Sequence, residues 1–414
     1  MAEKQEGVQH IFICGAKSVG QYGGYETFIN KLSEYVADDP RVKLHITCKA
    51  NGEGAMDESR LTGVRRLNEW EFEYHNAHCV KLPVPNIGPA VAIYYDRASV
   101  RWCIRYCRQN GIRNPIIYIL TCRIGPFTGG LKRQIKALGG TLHLNPDGHE
   151  WMREKWSPMV RRYWKLSEKL MVKHADLVIC DSKNIEKYIR DEYAAFHPNT
   201  TFIAYGAELN DSPLRDDDAR FTGWMAEKGL RPNDYYLVVG RFVPENNYET
   251  MIREFMRSST RKSFAIITNL NDKFRQQLED HLHFEADKRI RFVGTVYDPA
   301  LLQKIRENAY GYLHGHEVGG TNPSLLEALG ATKLNLLLDV GFNREVAEGA
   351  ALYWTKEPGS LAALLTEADA LPGGERDRIG EMAKRRIRDA YSWPYITSRY
   401  LEVWCGERDR QPRS

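Results

Sequence analysis

Residues 314–327, HGHEVGGTNPSLLE, combine the features of an anion-binding loop with those of a helix start. Gly319 and Gly320 leave backbone N–H groups that a phosphate can approach closely. Thr321 or Asn322 is suited to cap the helix that follows, and the proline after them is suited to its first turn. Because the first turn of a helix carries partial positive charge, we predict a diphosphate site here. A well-capped buried helix without a ligand is the alternative.

Two charged side chains are suited to other parts of a nucleotide. Glu327 falls one turn into the predicted helix, where a carboxylate can accept hydrogen bonds from two ribose hydroxyls. Arg241 lies in residues 240–247, directly after a predicted strand, and a guanidinium can form two parallel hydrogen bonds with a phosphate. The alternatives are a solvated helix residue for Glu327 and a surface arginine in a turn for Arg241.

Residues 145–151, NPDGHEW, place two carboxylates, an imidazole and an indole directly after another predicted strand. Open α/β folds bind their ligands at this carboxyl edge of the sheet. Asp147 and Glu150 are able to bind sugar hydroxyls, to orient an acceptor or to act as a general base. The alternative is that Asp147 caps a turn and His149 satisfies a local hydrogen bond.

A glycine-rich loop, residues 15–24, joins the first predicted strand to the first predicted helix. Its glycines, with Gly23 and Gly24 among them, allow backbone N–H groups to approach a phosphate. The loop matches neither the dinucleotide fingerprint nor a Walker loop, which argues against NAD and ATP chemistry. A tight turn without a ligand is the alternative.

Short apolar runs alternate with amphipathic helical segments along the chain, which predicts parallel sheets covered by helices on both faces. The predicted strands are 10–14, 44–48, 116–120, 141–144, 177–180, 201–204, 235–239, 264–267, 290–293, 311–313, 334–338 and 351–353. We therefore predict two Rossmann-like, doubly wound α/β domains that face a central cleft. Their expected limits are 1–205 and 206–390, with a final helix at about 391–414 that packs back on the first domain.

Charge is unevenly distributed, although the formal net charge is only +4. Residues 97–173 contain 16 Lys and Arg against 4 Asp and Glu, an excess that points to an anionic partner. Basic and aromatic residues interleave at helical spacing there, which predicts contact with an anionic membrane surface. The residues assigned to that surface are Arg101, Trp102, Arg105, Trp156, Arg161, Arg162 and Trp164. No signature of a nucleic-acid-binding module occurs, so nucleic acid is not a predicted partner; a solvated face is the alternative.

The sequence contains no apolar run of the ~20 residues that a membrane span requires, and it begins with a polar, partly acidic segment. Its eight cysteines are scattered and form no metal-ligand pattern. We therefore expect a cytoplasmic protein, peripherally associated with the inner face of the plasma membrane, that holds no metal.

Six stretches of the sequence together resemble a known enzyme family. They are YGGYETF at 22–28, CRIGPF at 122–127, and residues 145–156, 163–182, 240–247 and 314–346. In these stretches the chain resembles the retaining glycosyltransferases of the GT-B fold, family four. More narrowly, it resembles the bacterial β-1,4-rhamnosyltransferases of capsule and rhamnose-polysaccharide assembly. The similarity extends over nearly the whole chain.

The resemblance implies dTDP-β-L-rhamnose as donor and, as acceptor, glucose or N-acetylglucosamine linked to undecaprenyl diphosphate. Residues implied on the donor side are Gly23, Gly24, Arg241, Asn246, Asn247, Glu317, Gly319, Gly320, Thr321, Asn322 and Glu327. Those implied on the acceptor side are Tyr25, Glu26, Arg123, Asp147, His149 and Glu150. The implied catalytic residues are Asp147, Glu150 and Arg241.

Two positions depart from the pattern of that family. The first of its paired glutamates falls at Gly319, so the carboxylate contact to the donor sugar is missing or comes from Glu317. Its phosphate-binding lysine falls at Asn246, which leaves more of the diphosphate charge to Arg241. A 6-deoxy sugar offers one hydroxyl fewer, which is consistent with an altered set of sugar contacts.

The resulting hypothesis is glycosyl transfer with retention of the anomeric configuration, without a metal or another cofactor. Fixed hydrogen-bond donors such as Arg241 would stabilise the leaving diphosphate. A transferase that uses a UDP- or GDP-sugar is one alternative. An inactive lipid-glycan binding component of an assembly complex is another, motivated by Gly319 and Asn246.

Overall fold

The computed structural model describes residues 7–21, 23–152, 156–318 and 320–406. The chain divides into two compact units. The first consists of Met1–Tyr205 together with Trp393–Ser414, and the second of Gly206–Ser392.

The first unit is built on a nine-stranded sheet with the order β3-β4-β5-β2-β1-β6-β7-β8-β9. The strands are β1 (Gln9–Cys14), β2 (Val42–Lys49), β3 (Arg65–Arg66), β4 (Glu71–Tyr74), β5 (Ala77–Leu82), β6 (Ile116–Ile119), β7 (Thr141–Leu144), β8 (Leu177–Cys180) and β9 (Thr200–Phe202). Every neighbouring pair from β5 to β9 is parallel. The loops that follow β1, β6 and β7 therefore lie at one edge of the sheet.

Five helices of this unit connect the strands: α1 (Gly24–Val36), α2 (Val91–Gln109), α3 (Gly125–Lys136), α4 (Pro158–His174) and α5 (Lys183–Glu192). Ile117 and Ile119 of β6 belong to a buried cluster that also contains residues of α2, α3, α4 and α5. Because side chains alternate along a strand, Tyr118 between them faces the opposite side of the sheet. The Ser182 hydroxyl caps α5 by accepting a hydrogen bond from the Asn184 N–H at 3.1 Å.

A short antiparallel extension of the first sheet was not predicted from the sequence. Strands β3 and β4 pair antiparallel, and β4 pairs antiparallel with β5. This region contains few apolar residues and many charged ones, among them Arg65, Arg66, Glu71 and Glu73. Their charged side chains suit a sheet edge that remains partly in solvent. They also obscure the pattern of apolar residues that predicts a strand.

The second unit is built on a six-stranded parallel sheet with the order β12-β11-β10-β13-β14-β15. The strands are β10 (Tyr235–Val239), β11 (Ser263–Ile267), β12 (Ile290–Gly294), β13 (Gly311–His314), β14 (Asn335–Leu338) and β15 (Leu352–Trp354). The helices are α6 (Ala219–Lys228), α7 (Tyr248–Arg257), α8 (Asp272–Leu282), α9 (Pro299–Glu307), α10 (Pro323–Ala331), α11 (Gly341–Ala347), α12 (Ser360–Ala370) and α13 (Gly373–Ala390).

Helices cover both faces of the second sheet as well. Tyr236 and Val238 of β10 belong to one buried cluster, whereas Tyr235 and Leu237 belong to another. Successive side chains of β10 therefore pack into two separate cores, one on each face of the sheet. The predicted architecture of two Rossmann-like, doubly wound α/β domains is confirmed.

The last helix, α14 (Trp393–Cys405), belongs to the first unit. Its Tyr400 packs on Phe28 of α1, and the hydroxyls of Tyr400 and Tyr118 are 3.0 Å apart. Trp393 at its start also packs on Phe28. These aromatic contacts bury the side of the sheet that α2 to α5 leave open.

Candidate functional site

Helix α10 begins at the predicted diphosphate loop. The Asn322 side chain caps it by accepting a hydrogen bond from the Ser324 N–H at 2.9 Å, and Pro323 occupies the first turn. The Ser324 hydroxyl donates to the carbonyl of Val239, the last residue of β10, at 2.9 Å. The predicted cap and proline are therefore confirmed, with Asn322 rather than Thr321 in the capping position.

The residues that precede this cap are mostly enclosed. Gly320 and Thr321 are buried. Gly319 lies outside the described residues, so its predicted contact with the donor stays a prediction. The first turn of α10 is fixed to the carboxyl edge of the sheet by Ser324, and its backbone N–H groups give that edge partial positive charge.

The loop after β10 is bonded to the loop after β13. Asn247 Nδ2 donates to the Gly315 carbonyl at 2.8 Å. Asn246 Nδ2 donates to the Arg241 carbonyl at 2.7 Å, and its Oδ1 lies 2.8 Å from His316 Nδ1. Both amides predicted as donor ligands therefore make bonds within the protein, whereas Arg241 itself is exposed at this edge.

Glu317, the predicted substitute contact for the donor sugar, forms an ion pair with Lys356. Its backbone N–H donates to the Glu245 carbonyl at 3.2 Å. Lys356 follows β15 in the sequence, so a cation from a distant strand reaches the loop after β13. Sequence reasoning missed Lys356, because no spacing rule links a residue after one strand to a loop after another.

Glu327 is held by a buried arginine. Arg306 Nη2 and Glu327 Oε2 are 2.5 Å apart, and the side chains are 5% and 41% exposed, respectively. Arg306 lies in α9 and Glu327 in α10, so the contact joins two helices. The carboxylate predicted to bind ribose is thus fixed in one orientation by a partner that the sequence did not indicate.

His314, the last residue of β13, is a neutral imidazole at this edge. Burial, with a smaller contribution from the nearby His316, lowers its pKa to about 3. Among the described residues its buried Nε2 has no hydrogen-bond partner. It therefore contributes no positive charge to an anion site at neutral pH.

In the first unit, the glycine-rich loop is braced by Glu26. One carboxylate oxygen of Glu26 accepts a hydrogen bond from the Lys17 N–H at 3.0 Å. A Cβ atom on Gly23, which precedes α1, would lie 2.1 Å from the other oxygen, so a larger residue there would displace the Glu26 carboxylate. Gly24 is the first residue of the helix. Glu26 thus closes the loop, a role that the sequence did not indicate.

The loop after β7 carries two residues with left-handed backbone conformation. Asp147 has φ 59° and His149 has φ 46°. Asn145 Oδ1 accepts from the Asp147 N–H, and Asp147 Oδ1 accepts from the Gly148 N–H, both at 2.9 Å. Left-handed non-glycine residues cost on the order of 1 kcal/mol each, and such strain is concentrated at functional sites.

Arg123 lies beside a buried carboxylate. Its Nη1 is 3.5 Å from Asp96 Oδ2, which also accepts a hydrogen bond from the Thr121 hydroxyl at 2.8 Å. Burial alone would lower the pKa of Arg123, but the charges of Asp96, Tyr25, Asp147 and Glu150 raise it. The predicted acceptor residues therefore lie close enough to interact electrostatically, with Arg123 among them. Sequence reasoning missed Asp96, although it lies in the middle of the amphipathic helix α2.

A small pocket in the first unit, with room for little more than a water molecule, is lined by polar and aromatic side chains. It contains the carboxylates of Asp147 and Glu150, the guanidinium of Arg123, and the indoles of Trp151 and Trp164. Carboxylates can accept hydrogen bonds from sugar hydroxyls. Four of these residues follow β6 or β7, at the edge where open α/β sheets bind ligands.

His149 was predicted on the acceptor side, but its ring does not line this pocket. It packs on Tyr188 of α5, with ring centroids 4.3 Å apart, and burial lowers its pKa. The left-handed turn at Asp147 and His149 directs the imidazole toward α5. His149 therefore packs within the loop, and its predicted contact with the acceptor stays a prediction.

A buried ionic cluster supports the pocket from α4 and α5. Glu168 accepts hydrogen bonds from the hydroxyls of Tyr188 and Tyr193, and burial raises the pKa of this carboxyl. Lys165 Nζ lies 4.5 Å from the ring centroid of Trp151. The cation and the aromatic rings hold Trp151 against α4.

Solved structures that are similar to this chain identify its fold. Sucrose-phosphate synthase from Thermosynechococcus elongatus has a TM-score of 0.72 at 16% identity, over 96% of this chain and 98% of its own. HepE from Anabaena in complex with UDP has a TM-score of 0.67 at 14% identity, over 96% and 99%. Trehalose-6-phosphate synthase from Burkholderia multivorans has a TM-score of 0.69 at 12% identity, over 98% and 100%. The chain has the GT-B fold.

Sequence comparisons indicate less about this GT-B chain than the comparison of structures does. Residues 8–208 match a family described as a domain of unknown function (DUF1972). No curated protein matches the sequence significantly. HepE has also been solved in complex with UDP-glucose, at a TM-score of 0.67 and 14% identity to this chain, over 96% of this chain and 99% of its own.

The basic surface of the GT-B chain differs in part from the prediction. Trp164 is only 8% exposed, and the indole Nε1 of the half-buried Trp156 donates to Glu150. Trp102 stacks on Tyr106, and Arg161 Nε donates to the Trp151 carbonyl. Trp164 is buried, whereas Trp102, Trp156 and Arg161 are half-buried, and their assignment to a membrane surface stays a prediction.

Other predicted side chains of this surface are in solvent. Arg101, Arg105 and Arg162 are exposed. Met159 and Leu166 of α4 are also exposed, at 81% and 50%, and Lys169 is exposed beside them. None of the described helices is both long and apolar enough to span a membrane. The described residues include no group of three or more His, Cys, Asp or Glu arranged to hold a metal ion.

Proposed function

We propose that this GT-B chain is a glycosyltransferase that takes a sugar from a nucleotide-diphosphate donor. The proposal rests on the contacts around Val239, at the carboxyl edge of the second sheet. Ser324 bonds the first turn of α10 to Val239, and the exposed Arg241 follows two residues later in the chain. A helix N-terminus and a guanidinium together suit a diphosphate, and Glu327 further along α10 suits the ribose.

The donor that we propose is dTDP-β-L-rhamnose. Gly319 occupies the position where the resemblance implies a glutamate that contacts the donor sugar, and a 6-deoxy sugar has one hydroxyl fewer to bind. A UDP-sugar is the alternative, because HepE has been solved with UDP-glucose. Purified protein incubated with dTDP-rhamnose, UDP-glucose and GDP-mannose in parallel, with mass detection of products, distinguishes these donors. Transfer from UDP-glucose alone would replace the rhamnose assignment.

The acceptor that we propose is glucose or N-acetylglucosamine linked to undecaprenyl diphosphate, joined through a β-1,4 linkage. The carboxylates of Asp147 and Glu150, which act electrostatically on Arg123 after β6, suit the hydroxyls of a saccharide acceptor on the first unit. Synthetic lipid-linked glucose and N-acetylglucosamine, each tested with the active donor, identify the acceptor, and NMR of the product gives the linkage. If no donor yields a product with either acceptor, the chain is an inactive binding component.

In the proposed reaction, the acceptor hydroxyl oxygen forms a bond to the anomeric carbon of the donor sugar, on the face that the diphosphate leaves. The bond from that carbon to the phosphate oxygen breaks, and its electron pair stays on the diphosphate, which takes the acceptor proton. Arg241 and the first turn of α10 stabilise the developing negative charge because they are fixed before the reaction begins. Asp147 and Glu150 hold the acceptor hydroxyl in position.

We also propose that the enzyme is cytoplasmic and binds the inner face of the plasma membrane through α4. Met159 and Leu166 supply exposed apolar side chains, and Arg162 and Lys169 supply positive charge next to them. Together these side chains suit an anionic lipid surface, where apolar groups enter the headgroup region and cations bind lipid phosphates. A lipid-linked acceptor would be reached from such a surface.

A further inference from the structure

A groove in the first unit lies between α4 and the chain that follows α5, and no step of the proposed reaction uses it. Its volume is about 570 Å³, so it is much larger than the small pocket beside Asp147. Arg162, Leu166 and Lys169 recur along α4 at intervals of four and three residues, which places them on one face of the helix. The residues that line the opposite wall are Tyr193, Ala195 and Phe196.

The groove has an excess of positive charge. Among the residues that the structure describes, neither Arg162 nor Lys169 has a carboxylate within ion-pairing distance, and both side chains are exposed. A third cation of the groove, Lys165, has its Nζ 2.8 Å from Glu192 Oε1. Glu192 also lines the groove, so these two charges offset each other. Arg162 and Lys169 therefore remain available to an anionic ligand.

Apolar side chains lie next to these cations. Phe196 packs against the core of the first unit, and its ring centroid is 5.9 Å from Lys169 Nζ and 5.6 Å from Lys173 Nζ. Leu166, which is 50% exposed, adds apolar surface on the side of α4. A complementary ligand is an anion with an attached hydrocarbon chain, because the anion neutralises the cations and the chain covers the apolar side chains.

Lys165 connects the groove to the loop that is proposed to hold the acceptor sugar. It lines the groove, and its Nζ lies 4.5 Å from the ring centroid of Trp151. Trp151 in turn lines the small pocket together with Asp147 and Glu150. A sugar bound by these two carboxylates would therefore have the groove beside it, and a group attached to that sugar would reach the groove.

We propose that this groove binds the isoprenoid diphosphate of the lipid-linked acceptor. The diphosphate lies on Arg162 and Lys169, and the first isoprene units lie on Leu166 and Phe196. This inference rests on the proposed function, which supplies the identity of the acceptor. A diphosphate that is esterified at both ends carries one negative charge on each phosphate, which matches the two cations without a carboxylate partner. The groove thus recognises the acceptor lipid itself, in addition to the general contact of α4 with an anionic membrane.

Titration calorimetry of the full chain with farnesyl diphosphate, a short soluble isoprenoid diphosphate, tests this inference. Saturating dTDP is added so that the proposed donor site is occupied. Ala195→Glu places a negative charge in the groove and is expected to weaken farnesyl diphosphate binding by about tenfold or more. Ala195→Lys introduces a side chain of similar length with the opposite charge, so it should not weaken binding. Inorganic diphosphate should bind about tenfold or more weakly than farnesyl diphosphate, because it has no chain to bury.

Ala194→Glu is the matched control. Ala194 is exposed in the same short helical turn as Ala195, but its side chain does not line the groove. This variant should bind farnesyl diphosphate like the parent. Equal affinities of Ala194→Glu and Ala195→Glu, equal weakening by Ala195→Glu and Ala195→Lys, or no binding of farnesyl diphosphate by the parent would each overturn the inference.

Dihexanoyl phosphatidylglycerol, used below its micelle-forming concentration, distinguishes an isoprenoid diphosphate from a membrane phospholipid. If it binds as tightly as farnesyl diphosphate and Ala195→Glu weakens it equally, the groove is a phospholipid site and the inference is wrong. In transfer assays, Ala195→Glu should raise the KM for the lipid-linked acceptor about tenfold and leave kcat unchanged. If the parent transfers no sugar but binds farnesyl diphosphate with the expected dependence on Ala195, the proposed function fails while the groove remains an isoprenoid diphosphate site.

Discussion

The guanidinium of Arg306 and the carboxylate of Glu327 are 2.5 Å apart, although the arginine side chain is 5% exposed and the glutamate 41%. A buried guanidinium requires a negative partner, since an unpaired charge in the interior is strongly destabilising. Glu327 therefore has two roles at once. It neutralises Arg306 from within the protein, and its exposed side is the one that we propose binds the ribose of the donor.

Glu327→Ala is expected to destabilise the second unit by about 3 kcal/mol, because it leaves the buried Arg306 without a counter-charge. Weaker donor binding by this variant would then partly reflect unfolding. Glu327→Gln keeps the shape and an acceptor for Arg306, so it should lower stability less while weakening dTDP binding about tenfold. Urea unfolding and dTDP titration of both variants separate the effects. Equal dTDP affinity of the parent and Glu327→Gln would contradict the ribose assignment.

Asp147→Asn is expected to lower the rate of sugar transfer about 100-fold while leaving dTDP affinity unchanged. The carboxylate lies in the pocket of the first unit, whereas the proposed donor residues belong to the second. Asn also tolerates the left-handed conformation that Asp147 adopts, so the loop should keep its shape.

A suitable control for this variant is Asp191→Asn, which alters an exposed carboxylate of α5 that pairs with Lys187. It should transfer sugar at the parent rate. Initial rates with the active donor and a lipid-linked acceptor give the comparison. Transfer by Asp147→Asn at the rate of this control would remove Asp147 from the acceptor site.

Transfer is expected to continue undiminished in excess EDTA, because Arg241 and the first turn of α10 are proposed to stabilise the leaving diphosphate. The measurement is the initial rate before and after chelation, with and without added Mg²⁺ or Mn²⁺. Arg241→Lys should lose transfer activity by about tenfold or more, since an ammonium cannot form the parallel pair of bonds. A rate that depends on added metal would replace this account of the diphosphate site.

The sequence predicted the central strands well because buried parallel strands are continuous apolar runs. Residues 141–144, 177–180 and 235–239 are strands with the predicted bounds. The cap at Asn322 was also predictable, since capping depends on residues within one turn. Strands β3, β4 and β5 were missed because charged and polar residues interrupt their short apolar runs.

The partners within the site required the structure. Arg306 and Lys356 are far from Glu327 and Glu317 in the sequence, and only the packing of α9 on α10 and the end of β15 bring them together. Trp164 was assigned to a membrane surface, yet it is buried and lines the pocket. Aromatic residues on α4 face both the core and solvent, so spacing alone could not assign Trp164 to one side.

Stability is expected to fall as the pH drops below about 6.5, the pKa of an unperturbed histidine. Burial lowers the pKa of His45 to about 2, of His143 to about 4 and of His314 to about 3. Between those values and 6.5 the unfolded chain binds more protons than the folded chain, so acid favours unfolding. Each histidine should cost about 1.4 kcal/mol between pH 7.5 and 5.5. Urea unfolding at both pH values measures the loss, and His143→Gln should reduce it.

The exposed side of α4 is expected to bind anionic vesicles of phosphatidylglycerol but not neutral vesicles of phosphatidylcholine. Arg162 and Lys169 should each contribute about 1 kcal/mol near an anionic surface, so their joint change to Gln should weaken binding at least tenfold and reduce its salt sensitivity. Met159→Ser with Leu166→Ser should weaken it as well, because these side chains are exposed beside the two cations.

Tyr297→Ser is the matched control, since this side chain of the second unit is 76% exposed and lies outside α4. Vesicle sedimentation gives the affinities. If the α4 variants sediment like the control, the charge excess of residues 97–173 is only a solvated face.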